Sequence, residues 1–151
     1  MRFDLVDRVL ESSTESATTL KAVSMAEEYL QDHFPTFPVL PGVFMLEAMV
    51  QTARELDLPG IDRLVLGRVR ALKYGSFVRP GDVMTTEVTL MSRLEDGSLD
   101  VKGKATVRSA SGEGEPATAC SGRFTLRPVR LSSASIGADA GRSVTEAPAR
   151  S

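Results

Sequence analysis

The 151-residue chain has one cysteine, Cys120, and one histidine, His33. A lone cysteine cannot close an intrachain disulfide, so folding does not depend on an oxidising compartment. One histidine and one cysteine far apart in sequence are also a poor ligand set, so metal catalysis is not expected. Basic charge is not in excess: 18 Lys and Arg stand against 20 Asp and Glu, a net charge of -2. That balance exerts no general pull toward DNA, RNA or anionic membranes. Long hydrophobic runs are missing too. The longest apolar-rich stretch, residues 39–50, is far shorter than the roughly 20 residues a spanning helix needs. The N-terminal MRFDLVDRVL alternates charged and apolar residues where a secretory signal would carry an apolar core. There is no internal repeat, no Gly-x-Ser-x-Gly nucleophile elbow and no Gly-rich phosphate loop. These absences point to a soluble, cytoplasmic protein.

What is present suits one ordinary globular domain, with 42% apolar and 25% charged residues. After Pro128 the chain turns to Ser, Ala and Gly, and such a segment buries too little to offset its ordering entropy. The folded domain is therefore expected over residues 1–128, with a disordered tail over 129–151. Two short strands are expected over Phe3–Leu10 and Ala17–Ser24, then a helix over Pro41–Leu58, with Pro41 in its first turn and Pro59-Gly60 as its stop. Four more strands follow, over Leu64–Phe77, Asp82–Leu94, Leu99–Arg108 and Ala117–Leu126. In the last three, Met84, Thr86, Val88 and Leu90, then Leu99, Val101, Ala105 and Val107, then Cys120, Gly122, Phe124 and Leu126 each share a face. Glu95-Asp96-Gly97 and residues 111–116 read as hairpin connections. The order implies an α+β fold, an antiparallel sheet packed against or curled around one helix. Val43, Phe44, Met45, Leu46, Ala48, Met49 and Val50 go round that whole helix, so a second subunit should cover what one sheet cannot.

The chemistry concentrates in DHFPTFPVLPGVFMLEAMVQ, residues 32–51. Glu47 falls within the apolar helix, where desolvation raises a carboxyl pKa above the ordinary value of about 4.3 and makes it a candidate proton donor. The alternative is a structural glutamate satisfied by Arg68 or Arg70. His33 precedes a turn stiffened by prolines, a setting that suits fixed geometry. Gly42, in the first helical turn, offers an unpaired N–H that stabilises negative charge. A base, an acid and a backbone oxyanion donor together suit removal of a proton next to a carbonyl, although they do not identify a substrate.

HFPTFPVLPGVFMLEAMVQ resembles HFPGxPVxPGVxxxEAxAQ, the signature of the β-hydroxyacyl-acyl-carrier-protein dehydratases (the FabZ/FabA group), with His33 and Glu47 fourteen apart and Pro41-Gly42 between them. FDLVDRVLE near the start and VRALKYGSFVRPGD at 69–82 are similar to that family as well. The resemblance implies a hot-dog fold, an antiparallel sheet wrapped around a long central helix, assembled as a homodimer or trimer of dimers. It implies that His33 from one subunit takes a C2 proton from a (3R)-3-hydroxyacyl thioester while Glu47 from the other helps the C3 hydroxyl leave, giving a trans-2-enoyl thioester. Gly42 N–H would polarise the thioester carbonyl and the Val39 carbonyl would orient His33, with no metal or organic cofactor. Phe34, Phe37, Phe44 and Met45 are candidates for an acyl tunnel, with core packing as the alternative for each. An acyl carrier protein is acidic, and Arg63, Arg68, Arg70, Lys73 and Arg79 are the candidate patch for it, or else a solvated strand face. The family has Gly where this chain has Asp32 and Thr36, beside the substrate entrance. A non-catalytic acyl- or carrier-protein-binding subunit and a hot-dog thioesterase are the alternatives.

Overall fold

The computed structural model describes residues 3–130. Most of the tail expected over 129–151, from residue 131 onward, lies outside the described residues.

The strands are β1 (Arg8–Ser12), β2 (Ser16–Ala22), β3 (Leu64–Tyr74), β4 (Val83–Arg93), β5 (Leu99–Arg108) and β6 (Ala117–Pro128), and the helix α1 spans Gly42–Arg54. They form one six-stranded sheet in the order β1-β2-β4-β5-β6-β3. Every pairing is antiparallel. The alternation that defines β4, β5 and β6 in sequence sorts as expected except at Leu90 and Gly122, which are half-buried. Met84, Thr86, Val88, Leu99, Val101, Ala105, Val107, Cys120, Phe124 and Leu126 are all buried.

Helix α1 lies on that inner face. Met45, Ala48, Met49, Thr52 and Ala53, spaced i, i+3, i+4, i+7, i+8, are its buried stripe. At the centre of the contact a Cβ on Gly103 of β5 would sit 2.7 Å from Met49 Sδ, so a glycine lets the helix approach the sheet. Thr52 is buried without loss, because its hydroxyl donates to the Ala48 carbonyl (2.7 Å) and lies 2.7 Å from the Thr19 hydroxyl. The opposite side of α1 is left open in a single chain: Val43 is 66% exposed, and Leu46 and Glu47 are half-buried.

Several boundaries differ from the sequence reading. Pro41 stands at the helix N-cap rather than inside the first turn, with ψ at 138°. The helix closes at Arg54, four residues before the expected end. Residues 3–7 do not belong to the first strand, which runs over Arg8–Ser12. Instead Leu5 is buried and its N–H donates to the Gln51 side chain of α1 (2.9 Å), a partner from 46 positions away that competes with the sheet ladder. Strand β3 is an edge strand interrupted by irregularities between Leu66 and Val69 and between Arg70 and Lys73, with Ala71 at φ 50°. It ends at Tyr74, three residues before the expected Phe77, and the chain stays bonded to β6 through Gly75 N–H to the Ala119 carbonyl (2.9 Å), so close that a Cβ on Gly75 would lie 2.3 Å from the Thr118 carbonyl oxygen.

Candidate active site

The segment leading into α1 is held by the connection between β3 and β4. Leu40 N–H donates to the Val78 carbonyl (2.8 Å), and Val78 is fully buried. The Phe37 and Phe77 rings meet edge to face at 5.8 Å, and the Arg79 guanidinium lies 4.6 Å from the Phe37 ring centre. Within the segment, the chain turns sharply after His33. Phe34 takes a left-handed φ of 55°, and Phe37 N–H closes a turn onto the Phe34 carbonyl (2.8 Å), with Pro35 and Thr36 at its corners. A bulky residue in that region is strained, and strain of this sort is held where surrounding contacts over-determine it.

The turn brings His33 back over its own chain. Its Nδ1 lies 2.8 Å from the Val39 carbonyl oxygen. A carbonyl only accepts, so Nδ1 carries the proton and a neutral ring keeps its lone pair on Nε2. His33 lines a cavity of about 260 Å³ with Phe34, Val39, Leu40, Gly42 and Met45 from its own side, and with Tyr74, Gly75, Ser76, Phe77 and Ala119 from β3, the β3–β4 connection and β6. Gly42 opens α1 in this cavity. The first amide bonded back into the helix start is that of Phe44, to the Pro41 carbonyl (2.9 Å), so Gly42 N–H and Val43 N–H have no protein acceptor among the described residues. The cavity thus contains a basic nitrogen and the positive end of a helix.

Phe34, Val39 and Phe77 also line a second cavity of about 380 Å³, completed by Pro35, Thr36 and Phe37. Of the tunnel candidates, Phe34 and Met45 therefore border the His33 cavity and Phe37 the neighbouring one. Phe44 lies apart, packed on Phe3 (5.0 Å) and Tyr29 (4.7 Å between ring centres). Thr36 faces the second cavity, and Asp32 is exposed.

Glu47 does not line the His33 cavity in the single chain. It sits on the open side of α1, and its partner is Gln51 one turn on, whose Nε2 donates to Glu47 Oε1 (3.1 Å); no arginine bonds to it among the described residues. The same Gln51 amide donates to the Phe3 carbonyl (3.0 Å) and accepts Leu5 N–H, so it ties the N-terminal segment to the carboxylate. Sequence reasoning assigned Gln51 no role, although its i+4 spacing from Glu47 was a usable signal. It also missed Tyr74, Ser76, Phe77 and Ala119, which only the sheet order brings to the cavity. Arg63, Arg68, Arg70, Lys73 and Arg79 are all exposed. Among the described residues no cluster of His, Cys, Asp and Glu forms a metal-binding group, and no helix is long and apolar enough to cross a membrane.

Comparison with known proteins converges on one family. The model of the ApeI-like family, described as ApeI dehydratase, matches residues 9–113. The chain is 37% identical over 108 residues to a 3-hydroxyacyl-[acyl-carrier-protein] dehydratase FabZ of Petrotoga mobilis, covering 70% of this chain and 77% of that protein. It is 41% identical over 109 residues to the FabZ of Oenococcus oeni, covering 68% and 77%. Among solved structures it is similar to the dehydratase heterocomplex ApeI:P from Xenorhabdus doucetiae, at TM-score 0.60 and 16% identity, over 83% of this chain and 99% of that one. It is also similar to an acyl-CoA hydrolase from Bacillus cereus, at TM-score 0.57 and 16% identity, over 79% and 70%. At such identities the structural matches speak for the fold alone.

Proposed function

Because this chain belongs to the ApeI-like dehydratase family and is a hot-dog hydro-lyase akin to the FabZ enzymes, we propose that it removes water from (3R)-3-hydroxyacyl carrier-protein thioesters to give trans-2-enoyl thioesters in fatty-acid biosynthesis. The observation that carries the assignment of roles is the 2.8 Å contact between His33 Nδ1 and the Val39 carbonyl, because it leaves Nε2 as the base. His33 Nε2 takes the proton from C2, and the electron pair of that C–H bond becomes the C2–C3 double bond as the C3–O bond breaks. Glu47 of a second copy of the chain, through its own proton or a water it holds, protonates the departing hydroxyl as water. Gly42 N–H stabilises the charge that develops on the thioester carbonyl oxygen. The proton on His33 returns to Glu47 through solvent and resets the pair.

The open side of α1 and the unpaired β3 edge support a homodimer, since Val43, Val69 and Tyr74 are all exposed in a single chain. A trimer of such dimers is the larger assembly in view, and the cytoplasm is the compartment. Arg63, Arg68, Arg70, Lys73 and Arg79 are the proposed surface for an acidic carrier protein. Arg79 is the one that also touches the Phe37 wall of the cavity beside the site.

The test is turnover of crotonyl and 3-hydroxyacyl thioesters of short, medium and long chain, on both carrier protein and coenzyme A, followed as the enoyl absorbance. Wild type interconverts them, and His33→Ala lowers kcat/KM by at least about 1000-fold. Inactivity of the purified chain on every thioester defeats the proposal. The likeness to an acyl-CoA hydrolase motivates the second reading, thioester hydrolysis. Thiol release that survives His33→Ala would support that instead. A chain that binds thioesters without turnover, and gains it only with a different partner subunit, would be a non-catalytic member of a heterocomplex.

A further inference from the structure

We propose that the hydroxyl of Tyr74 is a catalytic donor to the thioester carbonyl oxygen, paired with the Gly42 N–H. This rests on the dehydratase reading above for its substrate.

Tyr74 is the last residue of β3, and the ladder places it opposite Cys120 of β6. From there its phenol lies across the start of α1. A Cβ on Gly42 would fall 2.8 Å from Tyr74 Cε1, 2.9 Å from Cζ and 3.3 Å from the hydroxyl oxygen. The absent side chain therefore makes room for the phenol over the Gly42 Cα, at the residue whose own N–H opens the helix. Both residues line the cavity that holds His33.

The hydroxyl is unengaged. It makes no hydrogen bond to protein among the described residues, although the ring beneath it is wedged against the helix. Partial desolvation of the phenol, with Cys120 adding a little, raises its pKa above the ordinary value, so the group stays protonated and able to donate through the neutral range. A carbonyl oxygen has two lone pairs, and two donors from one cavity wall can satisfy both.

The chemistry needs such a pair. As the C2 proton leaves for His33, negative charge accumulates on the carbonyl oxygen. A donor there strengthens as the charge grows, so it lowers the barrier more than it tightens binding of the ground state. Tyr74 takes no proton in the cycle. It keeps its hydrogen throughout, and its effect is electrostatic.

Tyr74→Phe removes only the oxygen and keeps the ring over Gly42. Loss of one oxyanion donor lowers kcat by about 10- to 100-fold here, since the Gly42 amide remains, with KM changed less than about threefold. The direct readout is the carbonyl stretch of a bound, unreactive saturated acyl thioester carrying a labelled carbonyl. In wild type that band lies lower than in Tyr74→Phe, because the donor is gone in the variant. Replacing Tyr74 with 3-fluorotyrosine, a stronger donor of nearly the same shape, moves the band lower still and serves if the Phe variant folds poorly. A Tyr74→Phe enzyme with wild-type kcat and an unmoved band, alongside an impaired Tyr74→Ala, would show that only the ring matters and overturn the proposal. The band needs no turnover, so it separates the two claims: an unmoved band overturns the donor contact, whereas a shifted band in a wild-type chain that dehydrates nothing overturns the dehydratase reading.

Discussion

Gln51→Ala tests how the first residues of the chain are joined to Glu47, the proposed acid. One amide side chain makes three bonds: Oε1 accepts Leu5 N–H at 2.9 Å, and Nε2 donates to the Phe3 carbonyl at 3.0 Å and to Glu47 Oε1 at 3.1 Å. Two of them lie at partly buried positions and one is exposed, so about 0.5–1 kcal/mol each is a fair net value. Their sum, about 2 kcal/mol, is the expected destabilisation. In urea unfolding this appears as a lower midpoint with an unchanged slope, because the native surface is otherwise preserved. Leu5→Ala is the companion, since Leu5 is 1% exposed and its truncation costs about 2–4 kcal/mol. If residues 3–5 are anchored jointly by that side chain and the Gln51 amide, the double variant loses less than the sum, because releasing the segment by one route removes the partners of the other. Activity of Gln51→Ala also falls, by about tenfold, as Glu47 loses the amide that fixes its orientation. Costs that add within about 0.3 kcal/mol, with wild-type kcat, would refute the clamp.

Two further outcomes follow from the packing. Gly103→Ala places a methyl 2.7 Å from Met49 Sδ and 3.1 Å from its Cγ, and such overpacking costs about 1–3 kcal/mol. Adding Met49→Ala removes the clash, so the double variant in urea unfolding is more stable than the summed single effects require. Asp100 is buried and takes a forked pair from Arg123, at 2.6 Å to Nη2 and 2.9 Å to Nε, which holds its carboxyl below the usual range. A depressed folded-state pKa contributes stability that is complete above the unfolded value of about 3.9 and is lost as pH falls through the folded one. Asp100→Asn therefore destabilises the protein at neutral pH and flattens the loss of stability below about pH 4. An unaltered acid limb in pH-dependent unfolding counts against the pair.

The elements that sequence placed well are those whose signal is local. The period-two alternation from Leu99 to Arg108 marks β5 to the residue, because each side chain's face follows from its parity alone. The pattern of α1 was legible for a similar reason, although the structure leaves Val43 on its far side exposed in a single chain. Errors arose where a distant group took over a local preference. Residues 3–7 have strand composition, yet the Gln51 amide and the space under Leu5 draw them onto the helix. Arg54 ends α1 earlier than Pro59-Gly60 suggested, because a breaker bounds a helix without saying how much of the last turns will hold.

The same division runs through the site. Sequence by itself determined the identities and spacing of His33, Gly42 and Glu47, since a histidine before stiff prolines, a glycine at a helix start and a carboxyl in an apolar helix carry their chemistry in their types. It could also assign the Val39 carbonyl through family resemblance. Only the tertiary structure decided what surrounds them. The sheet order puts β3 beside β6 and swings the connection after Tyr74 across the start of α1, so Tyr74, Phe77 and Ala119 join a cavity with residues more than 30 positions earlier. It also sends Glu47 to the far side of the helix, tied to Gln51 and out of that cavity. No periodicity encodes such neighbours. They are fixed by which strand edges pair and by how closely a glycine lets one element approach another.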